Sequence, residues 1–169
     1  FVQDTVTRID AARKLLILNS GAEISYDVVS CNTCSVVPAD EASAVGDHIF
    51  TVKPIENLIK VRQIVQAGLG SRTPRLIVVG GGAAALELAG NLWRVAQQSG
   101  TAAAITVCGG RQFLATMPVR AQRYARQSLA ARNIDIIEGV HVNRLKDGVA
   151  VLEDQRKVTF DLALLAWGI

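Results

Sequence analysis

A glycine-rich turn between an apolar run and a long helix-forming segment constrains the fold of this chain most. Residues 76–79 are an unbroken aliphatic run, as expected for a parallel strand that is covered on both faces. Gly80, Gly81 and Gly82 follow, and residues 83–96 contain strong helix formers and no proline. A strand, a glycine turn and a helix in this order predict an α/β domain.

The spacing of the small residues in this stretch fits a G-x-G-x-x-A dinucleotide-binding motif. Gly80 makes the tight turn, Gly82 lets a pyrophosphate approach the backbone, and Ala85 allows close packing of helix on strand. The free N–H groups at the start of the helix, at Ala83 and Ala84, would hold the phosphates. We therefore predict a dinucleotide site at the glycine turn.

The composition indicates a globular protein without export or membrane signals. The chain has 169 residues, which is enough for one domain and a small appendage. Of these residues, 50% are hydrophobic and 20% are charged, as in globular proteins. No apolar run approaches the ~20 residues that span a membrane, and no leader peptide is visible. Three cysteines favour a reducing compartment, so we expect a cytoplasmic location. The chain begins at Phe1 and ends in strand-like sequence, and we expect it to be part of a longer protein.

The net charge of +3 is distributed unevenly. Residues 88–134 contain six arginines and no Asp, Glu or Lys, so these 47 residues carry +6 and the other 122 carry −3. This charge either attracts a phosphate-rich cofactor or partner, or covers a solvated helix face. The spacing of Arg120, Arg123 and Arg126 favours the solvated face. Few aromatic residues and no basic motif argue against nucleic acid as a partner.

Alternation and turn residues predict a small antiparallel β segment at the start of the chain. Its three strands are expected at 1–9, 15–18 and 24–29, and such a sheet is too small to be stable alone. After a loop at 32–46, residues 48–53 look extended. Pro54 suits the first position of the helix that follows.

From residue 75 onward the predicted order is βαβαβ, then a meander, then β. This is a Rossmann-like parallel sheet in which a three-stranded β-meander replaces one crossover helix. After the first strand and helix, the pattern predicts strands at 102–107 and 134–137, a helix at 118–131, meander strands at 140–145, 149–152 and 157–160, and a last strand at 162–166.

Several segments resemble one flavoprotein family. Residues 78–90 are similar to V-V-G-G-G-P-T-G-V-E-L-A-G, the second glycine motif of the FAD-dependent pyridine nucleotide-disulfide oxidoreductases. Residues 83–86 replace P-T-G-V, and residues 87–90 match. Residues 24–29 resemble the family's I-x-Y-D-x-L strand. Residues 164–169, with Ala166 and Gly168, resemble its second A-x-G strand. Within the family, the chain is most similar to the type II NADH dehydrogenase-like branch.

The resemblance implies a domain organisation and an activity. Residues 1–46 would be the tail of a truncated FAD-binding domain, and residues 47–169 an inserted NAD(P)H-binding domain. The whole protein would pass hydride from NAD(P)H to FAD and on to a second acceptor, with a quinone as the candidate. This piece would bind NAD(P)H but not FAD, and would be inactive alone. Its partners would be its own FAD and C-terminal domains, with a homodimer allowed. Peripheral membrane association would come from the C-terminal portion.

Three positions carry specific expectations about the nucleotide. By resemblance, Glu87 would hydrogen-bond the nicotinamide carboxamide or its ribose; alternatively it is an acid favoured by the helix dipole. The second strand ends in Cys108, Gly109, Gly110 and Arg111, without the acid that normally accepts the ribose 2′-hydroxyl. Arg111 either meets a 2′-phosphate or is a solvated loop residue. The sequence leaves NADH and NADPH open.

The cysteines permit a redox interpretation. Cys31 and Cys34 form a C-x-x-C, which suggests a dithiol oxidoreductase, but small residues packed near the flavin region are the favoured interpretation. Cys108 is expected to fill space, and His141 to be a surface or edge residue. We expect no metal site, because only His48 lies near the C-x-x-C. A non-catalytic dinucleotide-sensing module is a further alternative, because fold alone does not determine activity.

Overall fold

The computed structural model describes residues 1–32, 44–45, 47–69 and 73–166, with only the backbone of 44–45. Cys34 and Gly168 lie outside the described residues, so the expectations placed on them are not addressed by the fold. The chain divides into two compact units, Phe1–Cys34 and Ser35–Ile169. The expected domain boundary between residues 46 and 47 stays a prediction.

The first unit is the predicted antiparallel sheet, with shorter outer strands. Its strands β1 (Val6–Asp10), β2 (Leu15–Leu18) and β3 (Glu23–Ser25) pair in the order β1-β2-β3. The prediction that the third strand reaches residue 29 is wrong. The central strand has only four residues, so it offers no partner beyond Ser25, and Val28 is exposed.

The second unit contains the predicted parallel sheet. Five strands lie in the order β5-β12-β6-β7-β8, and all four strand pairs are parallel. This order confirms the Rossmann-like fold. The elements are β4 (Ala44–Val45), β5 (Ile49–Thr51), α1 (Glu56–Ala67), β6 (Arg75–Val79), α2 (Ala83–Gln98), β7 (Ala104–Cys108), α3 (Val119–Ala130), β8 (Ile134–Ile137), β9 (Val142–Lys146), β10 (Val149–Leu152), β11 (Lys157–Thr159) and β12 (Leu162–Leu165).

The predicted meander connects β8 to β12, and it forms a second sheet in the order β11-β10-β9-β4. The strand β4 differs from the prediction, because the sequence predicts a loop over residues 32–46. It pairs in parallel with β9, with Ala44 opposite Leu145. A strand of two residues has no alternation that sequence analysis could detect.

The first helix begins later than the sequence suggests. Pro54 is not its first residue, because α1 starts at Glu56 with Ile55 as its N-cap. The N–H of Asn57 donates to the carbonyl of Pro54 (3.1 Å), which makes a turn ahead of the helix. The Asn57 side chain also donates to the carbonyl of Thr51 (3.0 Å) and ties this turn to β5.

Alternate residues of β6 face two different apolar clusters. Leu76 and Val78 pack with residues of α1, α2 and α3. Ile77 and Val79 pack on the other face of the sheet, against meander residues that include Leu145, Ala150 and Phe160. The sheet is therefore covered on both sides, by helices and by the meander. Both layers hold the glycine turn after β6 in place.

Candidate functional site

A cleft of about 600 Å³ lies at the carboxyl ends of β6, β7 and β12. It brings together six of the residues expected to bind a cofactor, although they come from three separate segments of the chain. These are Gly80, Gly81, Gly82, Gly109, Arg111 and Ala166. Ligands of open α/β sheets bind at this edge.

Two glycines of the turn are required by close contacts with neighbouring backbone. A Cβ at Gly80 would lie 2.6 Å from the carbonyl oxygen of Ala166, and one at Gly81 would lie 2.5 Å from that of Gly109. Such distances are too short for real atoms, so a side chain at either position displaces a neighbouring loop. Ala166 and Gly109 therefore form part of the wall against which the turn packs.

Gly82 differs from the other two glycines, because a Cβ there would meet no protein atom within 4 Å. The space beside it is open and faces the cleft. No packing in the described part of the chain thus calls for a glycine at this position. A ligand that approaches the backbone closely does call for one, as the motif predicts for a pyrophosphate.

Backbone hydrogen bonds fasten the three strand ends to one another. The N–H of Gly80 donates to the carbonyl of Cys108 (3.0 Å), and the N–H of Ala166 donates to that of Val79 (2.8 Å). The N–H of Leu114 donates to the carbonyl of Gly81 (2.6 Å) and anchors the loop after β7. The backbone that forms the floor of the cleft is therefore held in place by the protein's own hydrogen bonds.

The start of α2 has unpaired backbone donors, and its N-cap, Gly82, lines the cleft, whereas Ala83 and Ala84 are not among the lining residues. Gly82 is its N-cap and has no side chain to cap the helix, and the first turn contains no acid. Among the described residues, no hydrogen bond uses the N–H groups of Gly82, Ala83 or Ala84. Unpaired donors of this kind, together with the positive end of a helix dipole, are the groups that bind anions at helix N-termini.

The remaining residues of the predicted motif have different surroundings. Ala85 is fully buried and belongs to the same apolar cluster as Val78, which is the close helix–strand packing expected of the third motif position. Glu87 is exposed on α2 and is not among the residues that line the cleft. Its contact with a nicotinamide stays a prediction.

An acid that sequence analysis missed lies beside the loop after β7. The Arg111 Nη2 atom is 3.8 Å from Oε2 of Glu153, a residue of the turn between β10 and β11. The same Oε2 accepts a hydrogen bond from the backbone N–H of His141 (3.3 Å), and the Glu153 N–H donates to the carbonyl of His141 (2.9 Å). Glu153 is distant in sequence and follows a different sheet, so no local motif could indicate it.

The sequence predicts that His141 is a surface or edge residue, and the structure places it at the cleft. It lines the cleft, and its ring lies 3.2 Å from where a Cβ of Gly110 would stand. Gly110 has a φ of +69° and forms an isolated bridge with Val140. A side chain at this glycine would therefore strain the backbone and crowd the imidazole.

Hydrogen bonds to the Glu138 side chain also hold the loop after β7 in place. Glu138 accepts hydrogen bonds from the Phe113 N–H (3.1 Å) and from both terminal nitrogens of Arg126 (2.8 and 3.0 Å). The Arg126 guanidinium and this N–H hold the pKa of the Glu138 carboxyl below its usual value. Arg126 thus positions the loop, while its helix neighbour Arg123 contacts Tyr124.

One of the two thiols in the described part of the chain, Cys108, is not set up for redox catalysis. Burial raises the pKa of the Cys108 thiol to about 11, which keeps it protonated and unreactive. Cys31 is exposed and free, and its expected partner Cys34 lies outside the described residues. Cys108 lines the cleft as a small apolar residue, in line with the expectation that it fills space.

Among the described residues there is neither a cluster of metal-ligating side chains nor a membrane-spanning helix. No three His, Cys, Asp or Glu side chains there lie close enough to hold a metal ion. No helix there is both long enough and apolar enough to cross a membrane.

The sequence profile of one family, described as pyridine nucleotide-disulphide oxidoreductase, matches residues 1–169. The chain belongs to this family. Proteins of this family are FAD- and NAD(P)H-dependent reductases, so membership confirms the cofactors predicted from the sequence. No protein with a curated function matches the chain.

Solved structures of similar fold include several reductases. A ferredoxin reductase from Rhodopseudomonas palustris superposes with a TM-score of 0.75 at 17% identity, over 99% of this chain and 41% of that one. A covalent putidaredoxin reductase–putidaredoxin complex gives 0.71 at 18% identity, over 95% and 39%. An NAD-dependent persulfide reductase from A. fulgidus gives 0.72 at 19% identity, over 99% and 31%. The chain thus spans less than half the length of each, and the likeness concerns the fold.

Proposed function

We propose that this chain is the NAD(P)H-binding part of an FAD-dependent oxidoreductase. In the whole protein, two electrons and a proton would leave the nicotinamide as hydride and reduce the flavin. The flavin would then pass the electrons to a second acceptor. The observation that carries this proposal is the cleft lined by Gly82, the residue with open space beside it at which α2 begins with unpaired N–H groups.

The chemistry of this cleft suits a pyrophosphate. Its anion-binding groups are backbone donors, which bind phosphate oxygens without a charged side chain. Gly82 leaves room for the phosphates to approach, and Gly80 and Gly81 hold the turn in the required shape. The cleft volume of about 600 Å³ is within the usual range for ligand sites.

The nicotinamide end of the cofactor would extend toward the carboxyl end of β12. Ala166 lines the cleft there, and we propose that it contributes to cofactor binding together with Gly168, which lies outside the described residues. Glu87 would contact the carboxamide or its ribose, as the family resemblance implies. Its carboxylate has no hydrogen bond or ion pair with another residue in the described part of the chain, so it is available to a ligand.

FAD would bind to parts of the whole protein beyond these 169 residues. This sequence contains one glycine motif of the dinucleotide-binding kind, and we assign it to NAD(P)H. The flavin requires a second such site, so we propose that the chain alone is inactive. Residues 1–46 would complete the FAD domain, which with a C-terminal domain would be the partner of residues 47–169.

The electron acceptor and the cellular setting are the least constrained parts of the proposal. We propose membership of the type II NADH dehydrogenase-like branch, with a quinone as the acceptor, on the sequence resemblance alone. A cytoplasmic location, peripheral membrane association and a homodimer stay predictions on the same basis.

Titration with NADH and NADPH, together with the absorbance spectrum of the purified whole protein, tests the proposal. We expect at least one nucleotide to bind and flavin absorbance to be present. Glu87→Ala should weaken the binding, whereas Glu56→Ala, which removes an exposed acid from the first turn of α1, should not. Nucleotide binding without a flavin spectrum would favour a sensing module. Absence of both would end the proposal.

A further inference from the structure

We propose that Glu153 makes the adenosine-ribose end of the cleft selective for NADH over NADPH. The inference rests on the proposed function, because it concerns the same bound nucleotide. It goes further in naming the selecting group, a carboxylate supplied by the meander and paired with Arg111.

The position of the ribose follows from the fold. In Rossmann-like domains, the ribose next to the adenine lies beyond the carboxyl end of the second strand of the motif, where an acid accepts its 2′-hydroxyl. That strand is β7, and it ends in Cys108, a buried thiol. Gly109 and Gly110 follow without side chains. No acceptor for the 2′-hydroxyl therefore comes from β7 or from the two residues after it.

The meander instead brings a carboxylate next to Arg111, although Glu153 is not itself among the residues that line the cleft. Arg111, which lines the cleft, and Glu153 form an ion pair of 3.8 Å with side chains that are 74% and 46% exposed. One oxygen of Glu153 is held by the N–H of His141, which orients the carboxylate. The other oxygen has no hydrogen bond in the described part of the chain and stays available to a ligand.

Charge decides between the two nucleotides. The guanidinium and the carboxylate neutralise each other, so a ribose 2′-hydroxyl finds one donor and one acceptor at no electrostatic cost. A 2′-phosphate brings a charge of about −1.5 to −2. Near Glu153 it meets a like charge and an arginine that is already paired. Arg111 alone would favour the phosphate, and Glu153 reverses that preference.

The test compares dissociation constants for NADH and NADPH in the purified whole protein and in two charge-neutral variants. Glu153→Gln keeps an oxygen for the His141 N–H but removes the negative charge. Asp154→Asn removes the same charge one residue away, where Asp154 pairs with Arg156 (2.7 Å) instead of Arg111. Circular dichroism and melting curves verify that both variants are folded.

We expect the unmodified protein to bind NADH more tightly. Glu153→Gln should move the ratio of the two dissociation constants toward NADPH by about tenfold, equivalent to about 1.4 kcal/mol. Asp154→Asn should leave the ratio within about twofold, since its charge is directed elsewhere. Arg111→Ala should move the ratio toward NADH, because the cation that favours a 2′-phosphate is lost.

Three results would overturn the inference. These are a preference of the unmodified protein for NADPH, an unchanged ratio in Glu153→Gln, and an equal change in Asp154→Asn. In each of them a nucleotide still binds, so the proposed function stands. If neither nucleotide binds the unmodified protein, the proposed function and this inference fall together.

Discussion

Two cavities of similar size lie at opposite edges of the parallel sheet. The proposed nucleotide cleft, of about 600 Å³, is at the carboxyl ends of the strands and is lined by the glycine turn. The opposite cavity, of about 620 Å³, is at the amino ends of β5 and β12. Among its lining residues are Asp47, His48, Asp147 and Asp161. Size therefore does not tell which of the two cavities binds a ligand.

The polar groups of the two cavities differ in their hydrogen bonding. At the opposite cavity, Asp161 accepts bonds from the Arg75 N–H (2.7 Å) and guanidinium (3.2 and 3.3 Å), and its carbonyl contacts the His48 ring (3.2 Å). These groups hold strand ends together. In the nucleotide cleft, the first N–H groups of α2 bond to nothing in the described part of the chain. Unpaired donors mark a binding site better than volume does.

The largest effect is expected from Gly81→Ala, which tests whether the cleft depends on its glycine packing. The added methyl would meet the carbonyl oxygen of Gly109 at 2.5 Å, so one of the two loops must move. We expect a loss of about 1–3 kcal/mol in the free energy of unfolding and loss of nucleotide binding. Denaturant unfolding and nucleotide titration measure the two.

Gly90→Ala is the matched control for that substitution. Gly90 lies inside α2, where an added Cβ would meet nothing within 4 Å. Alanine should stabilise the helix there by about 0.5–1 kcal/mol and leave nucleotide binding unchanged. A Gly81→Ala protein as stable as the Gly90→Ala one would contradict the packing argument.

Gly82→Ala tests the open side of the turn and should separate binding from stability. Its methyl group meets no protein atom, so unfolding should change little, but it occupies the space assigned to the pyrophosphate. We expect nucleotide affinity to fall at least tenfold, about 1.4 kcal/mol, by calorimetric titration. Unchanged affinity would mean that the phosphates do not approach this backbone.

Asp161→Asn tests the opposite cavity and should show the reverse pattern. Asp161 is largely buried, and its charged bonds to Arg75 join β12 to β6. We expect stability to fall by about 1–2 kcal/mol, toward the lower range for charged hydrogen bonds because Arg75 is 40% exposed. Affinity for either nucleotide should not change. A marked loss of affinity would show that the two edges are coupled.

Most of the fold could be predicted because the signals are local. The aliphatic run at 76–79, the glycines after it and the uninterrupted helix formers of α2 each indicate their own structure. The meander was predictable from short alternating strands joined by Asp147-Gly148 and by Asp154-Gln155. Its place as the crossover between β8 and β12 follows from chain order.

What the sequence could not predict depends on contacts distant along the chain. The short β4 exists only because β9 pairs with it, and the third strand ends early because β2 is short. Glu153 lies near Arg111 only because the turn after β10 reaches the loop after β7. The acid that normally follows this strand in Rossmann-like domains is absent from that segment, and no local pattern in the sequence singles out Glu153 in the turn after β10.

The smallest effect is expected at the ion pair between Arg126 and Glu138. This pair holds the loop after β7, as the pair of Arg75 and Asp161 holds the strand ends at the opposite cavity. Arg126 and Glu138 are 35% and 37% exposed, and Glu138 anchors the Phe113 N–H of the loop after β7. Glu138→Gln should cost only about 0.5–1 kcal/mol near neutral pH, since solvent screens the pair.

The pH dependence of this small effect separates charge from shape. The Arg126 side chain lowers the pKa of the folded Glu138, so its contribution is present at neutral pH and is lost as the pH falls through that lowered pKa. The melting temperatures of the two proteins should therefore differ near pH 7 and converge in acid, once the pH is below the lowered pKa of Glu138. Gln122→Ala on the same helix, which removes a neutral bond to the Met117 carbonyl (2.9 Å), should give a difference that does not change with pH. A Glu138→Gln difference as constant as this control would mean that the carboxylate acts through its shape, and that the charged pair contributes nothing to holding the loop.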